Sequence, residues 1–297
     1  MSRDPERPTL SVIVASIESE TTLPRALDAL AVACADLAAE IIVVDASRDR
    51  SAAIAADRDD VTLMHRDPDT LTPVLWGDGI KASSGRFVAL TTGHCIVRQD
   101  WATALVRSLT DGAAGVGAGL ELDRDVRALD RAIFYLRYTA FLDQNRGEVR
   151  EVHEIAGDNA AYVGNDVRRY SAEHPEGFWE IEYHRELRGE GGQILANPAA
   201  VADFGHSFPF GVILKHRFDH GRHFGRWRVH EGGQGRLRVL LASPLVPIVL
   251  LLRAGRRAWT WTDHRTSFVR GTIPFLVLAV AWAAGEGAGS LARTARA

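Results

Sequence analysis

Apolar runs and amphipathic spans alternate along residues 10–120. The apolar runs predict strands at 10–16, 41–47, 61–65 and 86–91, and a run rich in Gly and Ala at 112–120 predicts a fifth strand or its approach. The spans between them predict helices at 22–38, 47–56, 71–83 and 99–109. Strands separated by helices of this length indicate an α/β fold with a mainly parallel sheet and helices on both faces.

The first two strands and the helix between them form a βαβ unit whose strand ends lie side by side at the carboxyl edge of the sheet. Ligands bind at such edges. The second strand ends in Asp45, and a carboxylate there suits a hydrogen bond to the base or ribose of a nucleotide. The alternative is that Asp45 caps the helix that follows.

Helical spacing of apolar residues continues at 124–142, where aromatic residues share the span. This helix is either packed in the core or forms an apolar ledge for a lipid-bearing substrate. A further helix is predicted at 177–188, with Glu180 and Glu182 in its first turns, where the helix dipole favours acids. A last strand at 194–202 leads to Asp203 and His206.

The C-terminal part differs in kind. Two apolar runs, 239–252 and 272–284, are each broken by proline and fall short of the roughly 20 residues that a spanning helix needs. Five arginines and two tryptophans lie between or beside them: Arg253, Arg256, Arg257, Arg265, Arg270, Trp259 and Trp261. Arginine and tryptophan beside short apolar helices favour interfacial or re-entrant helices at a membrane over helices buried against the preceding domain.

Charge is distributed unevenly along the chain. The net charge is −3, yet residues 211–297 hold 14 Arg or Lys against 4 Asp or Glu. A basic C-terminal part indicates an anionic binding partner. The only cysteines are Cys34 and Cys95, which excludes a disulfide framework and fits a reducing compartment. The first eight residues are charged and lack the apolar stretch of a signal peptide.

Taken in order, several segments resemble the family 2 inverting glycosyltransferases, which have the GT-A fold. The resemblance covers about residues 9–230. Residues 41–47 are similar to the family's "VVDxS" strand, 77–87 to the helix and turn before its metal-binding strand, 157–162 to its Gly-x-Asn-x-x-Tyr strand, and 178–187 to the helix that supplies the catalytic base. We therefore expect a GT-A-like domain at 1–235 and a membrane-associated helical tail at 236–297.

The resemblance implies transfer of a sugar, with inversion, from a nucleoside diphosphate sugar to a hydroxyl of a lipid-linked, polysaccharide or other cell-envelope acceptor. It places the protein on the cytoplasmic face of a bacterial cell membrane. Glu180 is the expected base and Glu182 the second choice. The acceptor side is expected at Asn159 and Trp179. The residues expected to bind the nucleotide sugar are Ala15, Ser16, Glu18, Asp45, Ser47, Asp78, Lys81 and Arg222.

The chain departs from the family where the fourth strand ends. The family has an acidic Asp-x-Asp pair for Mg²⁺ or Mn²⁺, whereas this chain has Thr92-Gly93-His94. Hard divalent cations prefer oxygen ligands. Three alternatives follow: His94 and His206 hold the metal with the diphosphate; cations such as Lys81, Arg217 or Arg222 neutralise the diphosphate without metal; or catalysis is lost and the protein binds a sugar nucleotide or a partner enzyme at the membrane.

Other classes of protein fit poorly. A dehydrogenase needs a Gly-rich turn after its first strand, but residues 15–20 contain no glycine. The Gly-x-Ser-x-Gly motif of serine hydrolases is absent. His216 and His220 have a spacing that can bind a metal, but Gly221 weakens that helix. The acidic first part of the chain, which carries no nucleic-acid-binding motif, argues against a nucleic-acid partner.

Overall fold

Two compact units make up the chain in this computed structural model, which describes residues 7–124, 126–205, 208–230 and 232–292. The first unit comprises Met1–Arg124 and Phe141–His206, and the second comprises Asp125–Ala140 and Ser207–Ala297. The strands are β1 (Leu10–Ser16), β2 (Ala39–Asp45), β3 (Val61–His65), β4 (Phe87–Thr92), β5 (Cys95–Val97), β6 (Gly115–Gly117), β7 (Leu120–Leu122), β8 (Arg150–Glu151), β9 (Ala160–Val163), β10 (Ile194–Ala196) and β11 (Ala202–Phe204). The helices are α1 (Leu23–Ala33), α2 (Ser51–Ala56), α3 (Thr72–Ala82), α4 (Trp101–Thr110), α5 (Ala128–Arg137), α6 (Gly164–Glu173), α7 (Glu180–Gly189), α8 (Phe210–His230), α9 (Arg236–Ala242), α10 (Val246–Thr260) and α11 (Thr262–Leu291).

The first unit is built on an eight-stranded sheet with the order β3-β2-β1-β4-β9-β6-β10-β8. Strands β3, β2, β1 and β4 are parallel, while β9 runs antiparallel to β4 and β6. Every residue of β1 and β4 is buried, as expected for central strands covered on both faces. The predicted mixed α/β fold with a sheet flanked by helices is confirmed.

One predicted strand is divided in two. Residues 194–202 form β10, a short 3₁₀ turn at Pro198–Ala200, and the start of β11. Pro198 has no N–H to give to a sheet, and the side chain of Asn197 accepts a hydrogen bond from the Ala199 N–H at 3.0 Å, which stabilises the turn. The chain therefore leaves the main sheet and enters a second, three-stranded sheet of order β5-β11-β7.

The second unit is helical, and α8 packs against α11 at very short range. Side chains added at Gly221 and Gly225 of α8 would collide with the backbone carbonyls of Trp282 and Glu286 on α11. The relation is reciprocal, because side chains at Gly285 and Gly289 would collide with carbonyls of α8. Pairs of small residues four apart allow helix backbones to approach this closely. The expected domain boundary at residue 235 thus lies within this unit, which also includes α5 and α8.

A buried ion pair lies beside this contact. Glu286 is fully buried; its carboxylate accepts hydrogen bonds from the Arg228 guanidinium at 2.6 Å and from the Ser243 hydroxyl at 2.8 Å. A buried carboxylate is tolerated only when it is paired in this way. The pair links α8 to α11, and Ser243 links both to the turn after α9.

The two C-terminal helical stretches, Arg236–Thr260 and Thr262–Leu291, are long and apolar enough to cross a membrane by length and composition. Both helical stretches are longer than the apolar runs seen in the sequence, because proline does not end either of them. Pro244 lies in a short 3₁₀ turn between α9 and α10, and Pro274 lies inside α11. Large apolar side chains are exposed on these helices, among them Leu237, Leu241, Leu252 and Ile273.

We expect Gly225→Ala to lower the stability of the second unit, because the new methyl group meets the Glu286 carbonyl and overpacking costs about 1–3 kcal/mol. Gly211→Ala on the same helix is the matched control, because no atom lies within 4 Å of its added methyl group. That change should stabilise α8 by about 0.5–1 kcal/mol through helix propensity. Thermal unfolding of the purified protein in detergent measures both effects, and equal shifts for the two variants would contradict the close packing.

Candidate functional site

The carboxyl edge of the parallel strands gathers the loops of the candidate site. β1, β2 and β4 end there, with Ser16 opposite Asp45 and Ala15 opposite Thr92. β9 runs the other way and begins with Ala160 opposite Leu90, so the preceding turn at Gly157–Asn159 lies at the same edge. Segments far apart in the sequence thereby meet at one rim.

Asp45 is the centre of the first half of the site. Its carboxylate is buried and accepts hydrogen bonds from the Ser47 hydroxyl at 2.8 Å and the Ser47 N–H at 3.1 Å. The Ser47 hydroxyl oxygen accepts from the Glu18 N–H at 2.8 Å, and the Glu18 carboxylate accepts from the Arg48 N–H at 2.9 Å. The loops after β1 and β2 are thus joined around Asp45.

Asp45 is not the cap of α2. That helix begins at Ser51, whose N–H donates to the Asp49 carboxylate at 2.9 Å. Ser16 lies beside Asp45 with a buried hydroxyl oxygen that has no hydrogen-bond partner within the described part of the chain. Glu18 has a positive φ of 49°, which turns the chain back over the strand ends. Ala15, Ser16, Glu18, Asp45 and Ser47, all predicted from the sequence, are therefore brought together.

Glu180 forms the second half of the site. It begins α7 two residues after Phe178. The Phe178 N–H donates to the Pro73 carbonyl at 2.7 Å, and the Phe178 ring is fully buried. The Glu180 side chain covers Gly157: a Cβ at that glycine would lie 3.1 Å from the Glu180 Cδ and 3.2 Å from the Trp76 ring. Because Gly157 has no side chain, the Glu180 carboxyl group can pack directly against this turn.

Asp45 and Glu180 belong to the same rim. Strands β2, β1, β4 and β9 are successive neighbours, so three inter-strand spacings of about 4.8 Å place Asp45 about 14 Å from the Gly157 turn. The space between holds the ends of β1 and β4. Glu182 is exposed, whereas Glu180 is half-buried. The geometry thus favours Glu180 over Glu182 as the acid that faces this space.

A buried Tyr–His pair supports α7 from below. The Tyr162 hydroxyl lies 2.8 Å from His184 Nε2, and both side chains are fully buried. Burial raises the pKa of Tyr162, and the charge of Glu180 raises it further. Burial, followed by the charge of Arg188, lowers the pKa of His184 to about 4. Both groups are therefore uncharged at neutral pH and fix α7 one turn beyond Glu180.

Asn159 has a different place from the one predicted. Its side chain is fully buried, its oxygen accepts from the Trp101 indole N–H at 2.6 Å, and its nitrogen donates to carbonyls of Ala118, Gly119 and Ala200. These contacts satisfy the amide within the protein, so Asn159 holds the turn in shape instead of contacting an acceptor directly. Trp179 is half-buried at the residue that precedes α7.

Asp78 and Lys81 lie on α3, which runs from the carboxyl edge back to the amino ends of the strands. Asp78 pairs with Arg66 at 2.6 Å and with Lys81 at 3.2 Å. Burial raises the pKa of Asp78, but the hydrogen bonds from these two cations outweigh it and lower the pKa overall. Lys81 is in the last turn of α3, toward the end where the Gly85 N–H meets the Ser11 hydroxyl. Lys81 is therefore not brought to the rim, and Arg222 belongs to the second unit.

The end of β4 does not provide the ligands of a hard divalent cation. Thr92 Oγ1 lies 3.3 Å from the Cys95 sulfur, and the buried His94 ring has Nδ1 3.4 Å from the hydroxyl oxygens of Ser19 and Thr22. No group of three or more His, Cys, Asp or Glu suited to a metal occurs within the described ranges. Hydroxyls and one imidazole facing them do not fit Mg²⁺ or Mn²⁺. His206, the other predicted ligand, lies outside the described residues.

Trp76 and Gly157 were not among the predicted site residues. The Trp76 indole N–H donates to the Thr91 carbonyl at 3.0 Å and so ties α3 to the end of β4. In the sequence Trp76 is one apolar position of a helical span, which is typical of a core residue. Gly157 opens the Gly-x-Asn-x-x-Tyr segment, but only the contact with Glu180 shows why a glycine is needed there.

The depressed pKa of His184 makes stability depend on pH. The unfolded protein protonates this histidine below about pH 6.5, whereas the folded protein resists protonation down to about pH 4. The contribution of neutral His184 to the free energy of unfolding is complete above pH 6.5 and is lost as the pH falls. The loss is about 2 kcal/mol between pH 7 and pH 5. Urea unfolding at the two pH values should show a smaller loss for His184→Gln than for the wild type. An identical loss in both proteins would rule out this histidine as the cause.

Comparison with known proteins agrees with this fold. No curated protein matches the sequence. A mannosyltransferase of Pyrobaculum calidifontis, solved in complex with GDP-Man and Mn²⁺, shares the fold with a TM-score of 0.54 at 17% identity, covering 94% of this chain and 88% of its own. The profile of glycosyl transferase family 2 matches residues 11–165, more than half of the chain. The chain belongs to glycosyl transferase family 2.

Proposed function

We propose that this protein transfers a sugar, with inversion, from a nucleoside diphosphate sugar to an acceptor hydroxyl, with Glu180 as the base. The observation that carries the proposal is the position of Glu180 over Gly157, on the same rim as Asp45. Family membership supports glycosyl transfer in general. The similar mannosyltransferase was solved with GDP-Man, which supports a nucleotide sugar as the donor.

The arrangement suits an in-line displacement at the anomeric carbon. Asp45 and Ser47, joined to the Glu18 loop, bind the nucleoside at one end of the rim. The sugar then lies over the ends of β1 and β4, toward Glu180. Glu180 removes the proton from the attacking hydroxyl, which makes the oxygen a stronger nucleophile. Attack from the side opposite the leaving diphosphate gives inversion.

The acceptor is proposed to be a lipid-linked or other envelope molecule at the cytoplasmic face of a bacterial membrane. Apolar side chains cover the outside of α9, α10 and α11, and arginines lie near Trp259 at the turn between α10 and α11. Arginine next to apolar helices favours the cytoplasmic side of a membrane. A groove of about 490 Å³ between α8 and α11, lined by Leu214, Phe218, Val277 and Val280, is apolar enough for a lipid chain.

A second candidate function is binding without catalysis. It is favoured by the absence of acidic side chains at Thr92-Gly93-His94, where the described residues offer no ligand set for a divalent cation. In that case the protein binds a sugar nucleotide or a partner enzyme at the membrane. The two candidates differ in turnover, since the binding protein retains affinity for the donor and transfers no sugar.

We expect Glu180→Gln to reduce transfer by about 10²- to 10⁴-fold, because an amide cannot accept the proton. Donor affinity should stay unchanged, because the amide has nearly the same shape. Glu182→Gln is the matched control, two residues along the same helix and exposed. Product formation from a panel of nucleoside diphosphate sugars measures transfer by each variant. Calorimetry measures the affinity of each variant for the donor. Full turnover by Glu180→Gln would refute the role of this base, and a wild type that binds donor without turnover would favour the binding protein.

We expect Asp45→Asn to weaken nucleotide binding by about 10- to 100-fold, because a hydrogen bond to a charged group contributes about 1.5–3 kcal/mol. The amide keeps the shape of the buried side chain, so the fold should remain intact. Asp59→Asn, on an exposed turn of the same unit, is the control. Calorimetric titration with nucleoside diphosphates measures the affinity, with circular dichroism as the check on folding. Equal affinities for the two variants would place the nucleotide elsewhere.

A further inference from the structure

The exposed side of α11 changes its character along the helix. Near the start of α11 the exposed residues include Arg265, Thr266 and Arg270. From residue 273 onward the exposed positions recur every three or four residues, which places them on one side of the helix. All six are apolar: Ile273, Val277, Val280, Ala284, Ala288 and Leu291. We call these six residues the apolar stripe.

The apolar stripe faces away from α8. Another side of α11 makes the contact with α8, and it is formed by Trp282, Gly285, Glu286 and Gly289. At about 100° per residue, the middle of that side lies about 150° around the helix from the middle of the apolar stripe. Helix α11 therefore has α8 on one side and an apolar surface on nearly the opposite side.

The glycine contacts also fix which residues of α8 and α11 lie level with each other. A Cβ at Gly221 would meet the Trp282 carbonyl, and a Cβ at Gly225 would meet the Glu286 carbonyl. The residue numbers rise together, so the two helices run parallel. His223 is midway between the two glycines and therefore lies level with residue 284, near the middle of the apolar stripe.

Charged side chains of α8 lie at the same level. Arg222 and Arg226 directly follow the two glycines, and both are exposed. Asp219 pairs with Arg222 at 3.4 Å and also with Lys215, so this surface keeps a net positive charge. If α11 crossed a bilayer, the middle of the apolar stripe would lie near the bilayer centre and bring these charges with it. Charges at that depth are costly, so α8 opposes the spanning orientation that the length and composition of α11 would allow.

An orientation along the membrane surface satisfies both helices. We propose that the second unit is a monotopic membrane anchor: α11 lies along one leaflet of a phospholipid bilayer, with its apolar stripe in the acyl layer, and does not cross the bilayer. Helix α8, on the other side of α11, then stays among the headgroups and in water. An apolar side and a charged side on opposite faces are typical of helices that lie in the membrane interface.

Arginines at one end of α10 and α11 indicate the kind of lipid. The exposed side chains of α10 are apolar as far as Leu252 and are followed by a basic group, Arg253, Arg256 and Arg257. A Cβ at Gly255 would lie 3.3 Å from the Phe268 ring, so this group lies beside the arginines at the start of α11. Positive charge next to an apolar surface favours anionic headgroups. The partner is therefore a leaflet that contains anionic phospholipid.

This inference rests on the membrane partner in the proposed function and adds its geometry. The groove between α8 and α11 opens beside the apolar stripe, because Val277 and Val280 belong to both. A lipid chain in the same leaflet can therefore enter the groove from the side, without leaving the acyl layer.

Thiol accessibility tests the orientation, using full-length protein bound to vesicles of phosphatidylcholine and phosphatidylglycerol. Ala284→Cys places a thiol on the apolar stripe, and His223→Cys places one at the same level on α8. Both native cysteines, Cys34 and Cys95, are buried, so the wild type gives the background. A water-soluble maleimide should label His223→Cys and lose its reaction with Ala284→Cys. Labelling in urea gives the total thiol of each variant.

Two other labelling patterns would overturn the proposal. Protection of both thiols would show that α11 crosses the bilayer with α8 beside it. Labelling of both thiols on vesicle-bound protein would show that the apolar stripe is not in the acyl layer.

Co-sedimentation with vesicles is the second measurement. Val280→Gln should lower the affinity for vesicles by about 10-fold, because one valine no longer leaves water for the acyl layer. Val32→Gln, the same change at an exposed valine of α1, is the matched control. Arg256→Gln should lower the affinity for vesicles with phosphatidylglycerol by about 5-fold and leave the affinity for pure phosphatidylcholine unchanged.

Equal affinities of Val280→Gln and Val32→Gln for vesicles would contradict lipid contact through the apolar stripe. A wild type that binds neither kind of vesicle and is dimeric by light scattering would assign the stripe to a second copy of the chain, which also overturns the proposal. Vesicle binding needs neither donor nor the Glu180 carboxylate, so Glu180→Gln should bind vesicles as the wild type does. Failure of the anchor and failure of the proposed transferase are therefore separate results.

Discussion

The pairing of β4 with β9 is the constraint on which the candidate site depends. Parallel strands β1, β2 and β4 deliver their carboxyl ends to one rim, and the antiparallel β9 delivers its beginning there. The Gly157 turn therefore lies beside the end of β4, and Glu180 rests on it. Without that reversal of direction, the turn that supports Glu180 would lie at the opposite end of the sheet from Asp45.

Electrostatics at this rim differ from the pattern expected of a metal-dependent transferase. The rim has a buried carboxylate at Asp45 and a half-buried one at Glu180, but hydroxyl groups and a buried imidazole at the end of β4. The second unit has the opposite character, since the buried Nε atom of Arg217 has no hydrogen-bond acceptor among the described residues. Negative and positive groups are thus concentrated in different units of the chain.

The second unit combines a polar interior with an apolar exterior. Glu286, Arg228 and Ser243 satisfy one another inside the helices, while leucine and isoleucine side chains face outward. Close backbone contact through Gly221, Gly225, Gly285 and Gly289 does not need a large hydrophobic core. This distribution is the one that a lipid environment favours, because small residues and paired polar groups stabilise helix contacts there.

The sequence by itself determined the strands of the βαβ units and the place of Asp45, because apolar periodicity and strand order define which residues reach the carboxyl edge. It also determined Glu180 as an acid at the start of a helix. Tertiary structure decided the roles of the residues around Asp45 and Glu180. Asn159 became a buried support because three carbonyls from two separate segments accept hydrogen bonds from its amide. Lys81 was placed away from the rim by the direction of α3. The roles of Trp76 and Gly157 depend on contacts between residues far apart in the chain, which periodicity within one segment does not encode.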